Sequence, residues 1–338
     1  MDKKYLVKTA QDLVTDTKGI LAADESTGTI KKRFDNIGVE STPENHRRYR
    51  QLLFTTPEIE KYIGGVIMFD ETIRQYSDDG KHFPELLEER GIMTGIKVDK
   101  GKVDFPNFPK EKLTKGLDGL EEKLEEYREL GARFSKWRAV IPVGGGSVAR
   151  PALTANMKNL AIYAAFAQNA EIVPIVEPEV LIDGDHSVEK CEKVTRNTLE
   201  VLFTELYDYK VILEGLILKV NMIVPGRDNP NKLSPKEIAE HTVRVMKDSV
   251  SVAVPSVVYL SGGLSPVQST EYLDAINKLG PHPWELNFSF GRALQEPVLE
   301  AWQGKDENIE IAQREFIKRA KLNSLALKGE YRSEMENE

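Results

Sequence analysis

Lys219 closes an aliphatic stretch, Leu213 to Gly226 (LEGLILKVNMIVPG), in which Leu213, Leu216, Ile217, Leu218 and Val220 have the pattern of a strand buried on both faces. Burial penalises an ammonium group, so the pKa of such a lysine should fall, and a neutral lysine can attack a carbonyl to form a Schiff base. A lysine at a strand end can also extend its head into solvent. Other aliphatic runs end in charge too: Asp24, Glu71, Lys97, Lys136 with Arg138, and Glu177 with Glu179. Side chains two apart in a strand share a face, so Lys136 and Arg138 point together, as do Glu177 and Glu179. Read as chemistry, Lys219 is the nucleophile and Lys136 depresses its pKa by like-charge repulsion. Glu177 moves protons as a carbinolamine loses water, and Asp24 accepts the substrate hydroxyl proton that starts carbon–carbon cleavage. Opposed Lys and Glu side chains could instead form a structural ion-pair layer.

Signals for anion binding lie elsewhere. Leu260-Ser261-Gly262-Gly263 and Phe290-Gly291-Arg292 follow the last two aliphatic runs, and glycines let backbone N–H groups approach a phosphate. Glu25-Ser26-Thr27-Gly28-Thr29 adds hydroxyl donors, and Arg33 and Lys97 add charge for a second phosphate.

These groups need a frame that brings them together. The aliphatic runs are 19–24, 64–70, 94–99, 133–141, 172–179, the Lys219 stretch, 256–263 and 285–291. Helical segments separate them. Thr42-Pro43 and Phe83-Pro84 open two, the second stopped at Gly91; Leu117 to Leu130 ends at Gly131. Further helices are read over 152–168, 188–207 and 308–328, and Ser234-Pro-Lys-Glu237 and Ser265-Pro-Val-Gln268 are capping boxes. Eight strands alternating with helices, without a Ser/Gly-rich linker, predict one α/β domain over 1–338. It is a (β/α)8 TIM barrel with a short polar tail at about 330–338, and its chemistry sits at the C-terminal ends of the strands.

Composition narrows the function. The chain has 338 residues, 40% hydrophobic and 30% charged, with a net charge of −8, which argues against a nucleic-acid surface. One cysteine, Cys191, suits a reducing compartment. The N-terminus lacks a signal-peptide core and no apolar run could span a bilayer, so a cytoplasmic protein without membrane association is expected.

Taken together, GILAADESTGTIKKRF, RQLLF, IGGVIMFDET, GIKVDKG, GLDGL, KWRAV, IVPIVEPE, LEGLILKVNM, LSGG and FSFGRALQ run nearly the whole length of the chain. In this order they resemble class I, Schiff-base-forming fructose-1,6-bisphosphate aldolases. The resemblance implies reversible cleavage of fructose 1,6-bisphosphate to dihydroxyacetone phosphate and glyceraldehyde 3-phosphate, in glycolysis and gluconeogenesis, by a homotetramer without cofactor or metal. It implies Lys219 as the Schiff-base lysine, Glu177 as proton shuttle, and Asp24 and Lys136 as their partners. Ser26, Thr29, Arg33, Lys97, Arg138, Ser261, Gly262, Gly291 and Arg292 then line the substrate and phosphate sites, and the strand-end reading adds Glu179 and Gly263 to them. Thr29 stands where many members have serine, and Val220 follows the lysine where many have proline, which should loosen the backbone there. Residues 141–150 (IPVGGGSVAR) differ from the animal sequences, so the rim should differ. Animal members end in a flexible tail carrying a terminal tyrosine; here the last tyrosine is Tyr331, and 330–338 should be solvated and mobile.

Three other readings compete. A metal-dependent aldolase would need a ligand set, but His46, His82, His186, His241 and His282 are scattered. A transaldolase-like Schiff-base lyase fits less well, because phosphate signals stand at both ends of the site. A silent sugar-phosphate-binding scaffold conflicts with intact Lys219, Glu177 and Asp24.

Overall fold

The eight aliphatic runs supply the eight strands of a closed ring, and two further strands stand apart from it among the described residues. The computed structural model describes residues 1–15, 17–143 and 148–337. Its strands are β1 (Gly19–Ala23), β2 (Ile63–Met68), β3 (Met93–Lys97), β4 (Lys102–Phe105), β5 (Phe108–Thr114), β6 (Phe134–Ile141), β7 (Val173–Val180), β8 (Ile217–Asn221), β9 (Ser256–Leu260) and β10 (Glu285–Phe290). A closed barrel runs β1-β10-β9-β8-β7-β6-β3-β2, and every pairing in it is parallel. Strands β4 and β5 form a separate antiparallel hairpin that has no counterpart among the expected elements. Its exposed, charge-rich faces give it no aliphatic run to read.

The helices are α1 (Lys3–Asp12), α2 (Thr27–Asp35), α3 (Pro43–Phe54), α4 (Asp70–Ile73), α5 (Phe83–Glu88), α6 (Leu120–Glu129), α7 (Arg150–Asn169), α8 (Val188–Asp208), α9 (Pro235–Ser249), α10 (Pro266–Lys278), α11 (Arg292–Trp302) and α12 (Ile309–Leu327). Thr42 caps α3, with Pro43 in its first turn, and both predicted capping boxes form, at Ser234 and Ser265. Among the described residues no helix is long and apolar enough to cross a membrane.

Alternation along each strand sorts two cores. Ile20, Ile67, Phe134, Val173, Ile175, Ile217 and Val258 form one cluster with Leu6, Ala10 and Leu13. Helix α1 and the residue after it therefore pack onto the barrel interior. Outward-facing Leu216, Leu218 and Val220 join the larger cluster between barrel and helices. The inner space is filled to contact. A Cβ on Gly95 would come within 2.2 Å of the Phe134 ring, so the large side chain depends on a missing one beside it. Val220 stays in register with Tyr259, so the residue after Lys219 continues the strand.

The C-terminal segment is tied down, contrary to the mobility expected from its polarity. Helix α12 ends in a Schellman pattern, with Gly329 N–H donating to Ala326 and Glu330 N–H to Leu325. Tyr331 is buried; its N–H donates to Asp274 and its hydroxyl to Glu336. Glu336 accepts two hydrogen bonds from buried Arg319 at 2.7 and 2.6 Å. Charge complementarity with a buried arginine has overridden solvation. Glu338, and residues 144–147 within the rim segment expected to vary, lie outside the described residues.

Candidate active site

The period of two that buries Ile217 also turns Lys219 inward, one step nearer the C-terminal end of β8. On β7, Ile175 is followed inward by Glu177; on β6, Phe134 is followed by Lys136. Above the apolar interior the barrel therefore carries a charged layer, and the chain segment leaving β1 adds Asp24. Lys219 (3% exposed), Lys136 (4%) and Glu177 (4%) are buried. Lys219 Nζ stands 3.4 Å from Glu177 Oε1, Lys136 Nζ 3.2 Å from Glu177 Oε2, and Lys136 Nζ 2.6 Å from Asp24 Oδ2. The signs alternate along Lys219, Glu177, Lys136 and Asp24, so the layer is neutral as a whole, which is what makes its burial tolerable.

Glu177 lies between the two lysines, so they do not face each other as bare like charges. Burial opposes ionisation of Asp24, but Lys136 and Lys219 outweigh it and hold the carboxyl far below its ordinary value. Glu177 is likewise held low: burial works against it, and Lys136, Lys219 and Arg138 prevail. Lys136 is raised well above the usual ammonium value, because Asp24, Glu177 and Asp99 overcome its own burial. The layer thus rests as two carboxylates with a firmly protonated Lys136 between them.

A cleft of about 1120 Å³ opens above this layer, and every site residue nominated from the sequence lines it. On one side, Ser26 is the N-cap of α2, and its hydroxyl is 3.2 Å from that of Thr29. That helix start favours an anion. Lys97 lies nearby in the barrel register but donates to the carbonyl and carboxylate of Asp99, both at 2.7 Å. Arg138 is paired with Glu179, and Arg33 with Glu25. Glu25 also accepts from Arg50 at 2.5 Å and Gln295 at 2.9 Å. Asp99 and Glu25 went unread in the sequence. Asp99 had a signal, since it stands two residues beyond Lys97; Glu25 had none, because its arginine partners come from other helices. Across the ring from Lys97 and Arg138, Ser261, Gly262 and Gly263 follow β9, while Gly291 caps α11 and Arg292 begins it. Glu71, a strand-end charge by sequence, turns away from the cleft: it bonds His46 Nδ1 at 2.7 Å, and His46 Nε2 is 2.8 Å from the Ser41 hydroxyl.

A buried lysine flanked by a carboxylate, at the floor of a cleft with cationic groups on both walls, can form a covalent imine with an anionic carbonyl compound. The family model for fructose-bisphosphate aldolase class-I matches residues 5–338. The chain belongs to the class I fructose-bisphosphate aldolase family. It is 49% identical over 330 residues to the cytosolic fructose-bisphosphate aldolase 4 of Arabidopsis thaliana, covering 97% of this chain and 84% of that protein. A probable class 1 fructose-bisphosphate aldolase of Xylella fastidiosa (strain 9a5c) is 48% identical over 333 residues, covering 98% of this chain and all of that one. The solved Plasmodium falciparum fructose-bisphosphate aldolase, in complex with TRAP and a small-molecule inhibitor, superposes with a TM-score of 0.96 at 47% identity, covering 98% of this chain and 96% of that one. The TIM barrel is thus the fold of a class I aldolase, an enzyme family acting on a sugar phosphate.

Proposed function

We propose that this aldolase cleaves fructose 1,6-bisphosphate reversibly through a Schiff base on Lys219. The observation that carries the reading is the alternating Lys219–Glu177–Lys136–Asp24 layer beneath the cleft. Lys219 attacks the ketose carbonyl as the free amine, its proton passing to the Glu177 carboxylate. Glu177 returns that proton to the carbinolamine hydroxyl, which leaves as water, and the iminium becomes the electron sink. Asp24 takes the proton of the hydroxyl on the far carbon of the bond to be broken, which becomes the aldehyde carbonyl. The carbon–carbon electrons move to the iminium, glyceraldehyde 3-phosphate departs and an enamine remains. Glu177 protonates the enamine carbon, and Lys136, which touches both carboxylates, passes Asp24's proton on to it. Water then releases dihydroxyacetone phosphate and restores the amine.

The two phosphates sit at opposite walls, one with Ser26, Thr29, Lys97 and Arg138, the other at Ser261, Gly262, Gly263, Gly291 and Arg292. Arg33 and Glu179 set the charge balance of the first wall through their ion pairs. The whole chain acts as one domain, a cytoplasmic homotetramer; the cytosolic name of the Arabidopsis relative supports the compartment, and light scattering measures the assembly.

Borohydride with dihydroxyacetone phosphate should inactivate the enzyme and mark Lys219, and Lys219→Met should lose both labelling and cleavage. Labelling without cleavage of the bisphosphate would assign another Schiff-base lyase. Absence of labelling would leave a binding scaffold.

A further inference from the structure

The loop between β8 and α9 brings a second arginine to the glycine turn after β9. Gly263 has a φ of +96°, and a Cβ built on it would lie 2.5 Å from Nη2 of Arg227 and 3.1 Å from Nη2 of Arg292. Two guanidinium groups therefore share the space that a side chain at 263 would take. Like charges so close repel, and the chain does little to offset them. Asp183 stands 3.7 Å from Arg227, with side chains 68% and 55% exposed, which makes this a weak pairing. Arg292 has no carboxylate partner among the described residues. The opposite wall differs, because Lys97, Arg138 and Arg33 each have one.

Arg227 is nevertheless held in place by its backbone. Its N–H donates to Ile182 at 2.8 Å, its carbonyl accepts from Lys232 at 3.0 Å, and the preceding Gly226 N–H donates to His186 at 2.8 Å. The main chain is fixed while the guanidinium faces the cleft. An under-compensated arginine pair beside two left-handed glycines has the chemistry of a dianion site: planar donors for phosphate oxygens, and a turn in which consecutive N–H groups can converge on an anion.

We propose that Arg227 is a second arginine ligand of the substrate phosphate bound at the Ser261–Gly263 turn, and that Asp183 is the partner this phosphate displaces. This rests on the reading of that turn and Arg292 as a phosphate clamp. Arg227 has no motif to announce it in the sequence; the loop alone delivers it. Its role is to raise the affinity of one end of the substrate for a doubly charged group.

Three variants test this, each first confirmed to trap dihydroxyacetone phosphate on Lys219 with borohydride. Arg227→Ala should raise the KM for fructose 1,6-bisphosphate and the inhibition constant of inorganic phosphate by roughly three- to tenfold, affecting KM more than kcat. It should also flatten the salt dependence of phosphate inhibition. Asp183→Asn should move phosphate inhibition the opposite way, towards tighter binding, which a merely structural loop contact would not do. Arg292→Ala reports on the clamp itself. If Arg292→Ala weakens phosphate binding while Arg227→Ala and Asp183→Asn leave it unchanged, the role of Arg227 is refuted and the clamp survives. If none of the three moves it, the clamp reading falls as well.

Discussion

Replacing Glu336 by alanine should cost stability and leave catalysis alone. The carboxylate accepts two hydrogen bonds from Arg319 and one from the Tyr331 hydroxyl at 2.9 Å. Arg319 is a buried side chain on α12, and its other contacts are the Pro266 carbonyl at 2.9 Å and the Thr270 hydroxyl. Without Glu336 the guanidinium remains buried among neutral acceptors. Breaking a buried ion pair from one side costs about 3–5 kcal/mol. The Glu336 side chain keeps 18% of its exposure, so water can reach the gap, and we scale the expected loss to about 2–3 kcal/mol. Unfolding entropy of roughly 2.1 cal/mol/K per residue converts this into a Tm lower by about 3–4 °C for a chain of this length. Glu336→Gln keeps an acceptor and should lose roughly half as much. Replacing both partners, Arg319→Leu with Glu336→Leu, should recover most of the loss, because the buried charge goes with its partner. Thermal melts by circular dichroism measure all three, and turnover at 25 °C should stay within about threefold of the parent, well under 1 kcal/mol in barrier. A Glu336→Ala melt indistinguishable from the parent would refute the buried-charge argument. A normal melt with collapsed turnover would show instead that the tail serves the chemistry.

Three further outcomes follow from the barrel. Asp24 has a depressed pKa when folded, so its contribution is present above the unfolded value of about 3.9 and fades as pH falls towards the folded one. Asp24→Asn should therefore flatten the acid limb of the stability curve below about pH 4, and a limb as steep as the parent's would contradict the assignment. Gly95→Ala should fold poorly or lose at least about 1–3 kcal/mol by overpacking against Phe134, and Phe134→Leu should restore it in the double variant, as chemical denaturation would report. EDTA should leave cleavage unchanged, since the iminium takes the place of a metal ion as electron sink; activity lost to EDTA and restored by zinc would overturn the Schiff-base route.

The eight barrel strands were legible because each is an aliphatic run, six of them ending in charge and the last two in a glycine turn, and the two capping boxes because their residues bond locally. Strand ends were overestimated where charge or proline follows. The Lys219 stretch shortens to Ile217–Asn221, since 213–215 coil into a 3-10 turn and the chain leaves the ladder after Asn221. Lys219, Glu177, Lys136 and Asp24 could be nominated from position along strands, but their contact order could not, because it depends on closure of the ring. Partners from distant helices, such as Arg50 on Glu25 or Arg319 on Glu336, leave no periodic trace. The same holds for Arg227, whose placement depends on loop geometry, and for Glu71, which belongs to the short helix α4 after β2 and turns towards His46.

The charged layer has a consequence for how the chain comes to be reactive. Asp24 leaves the first strand of the ring, Lys136 and Glu177 lie on β6 and β7, and Lys219 comes from β8. No contiguous fragment short of that span holds all four charges. Nor can three of them be buried well without the fourth, since each lysine needs a carboxylate supplied by another strand. Covalent reactivity should therefore appear late during synthesis, after β10 has emerged and closed the ring, and a chain stalled between β8 and β10 would carry an ordinary lysine instead of a nucleophile. Trapping by borohydride on ribosome-bound chains of increasing length would read the moment of closure directly from the chemistry.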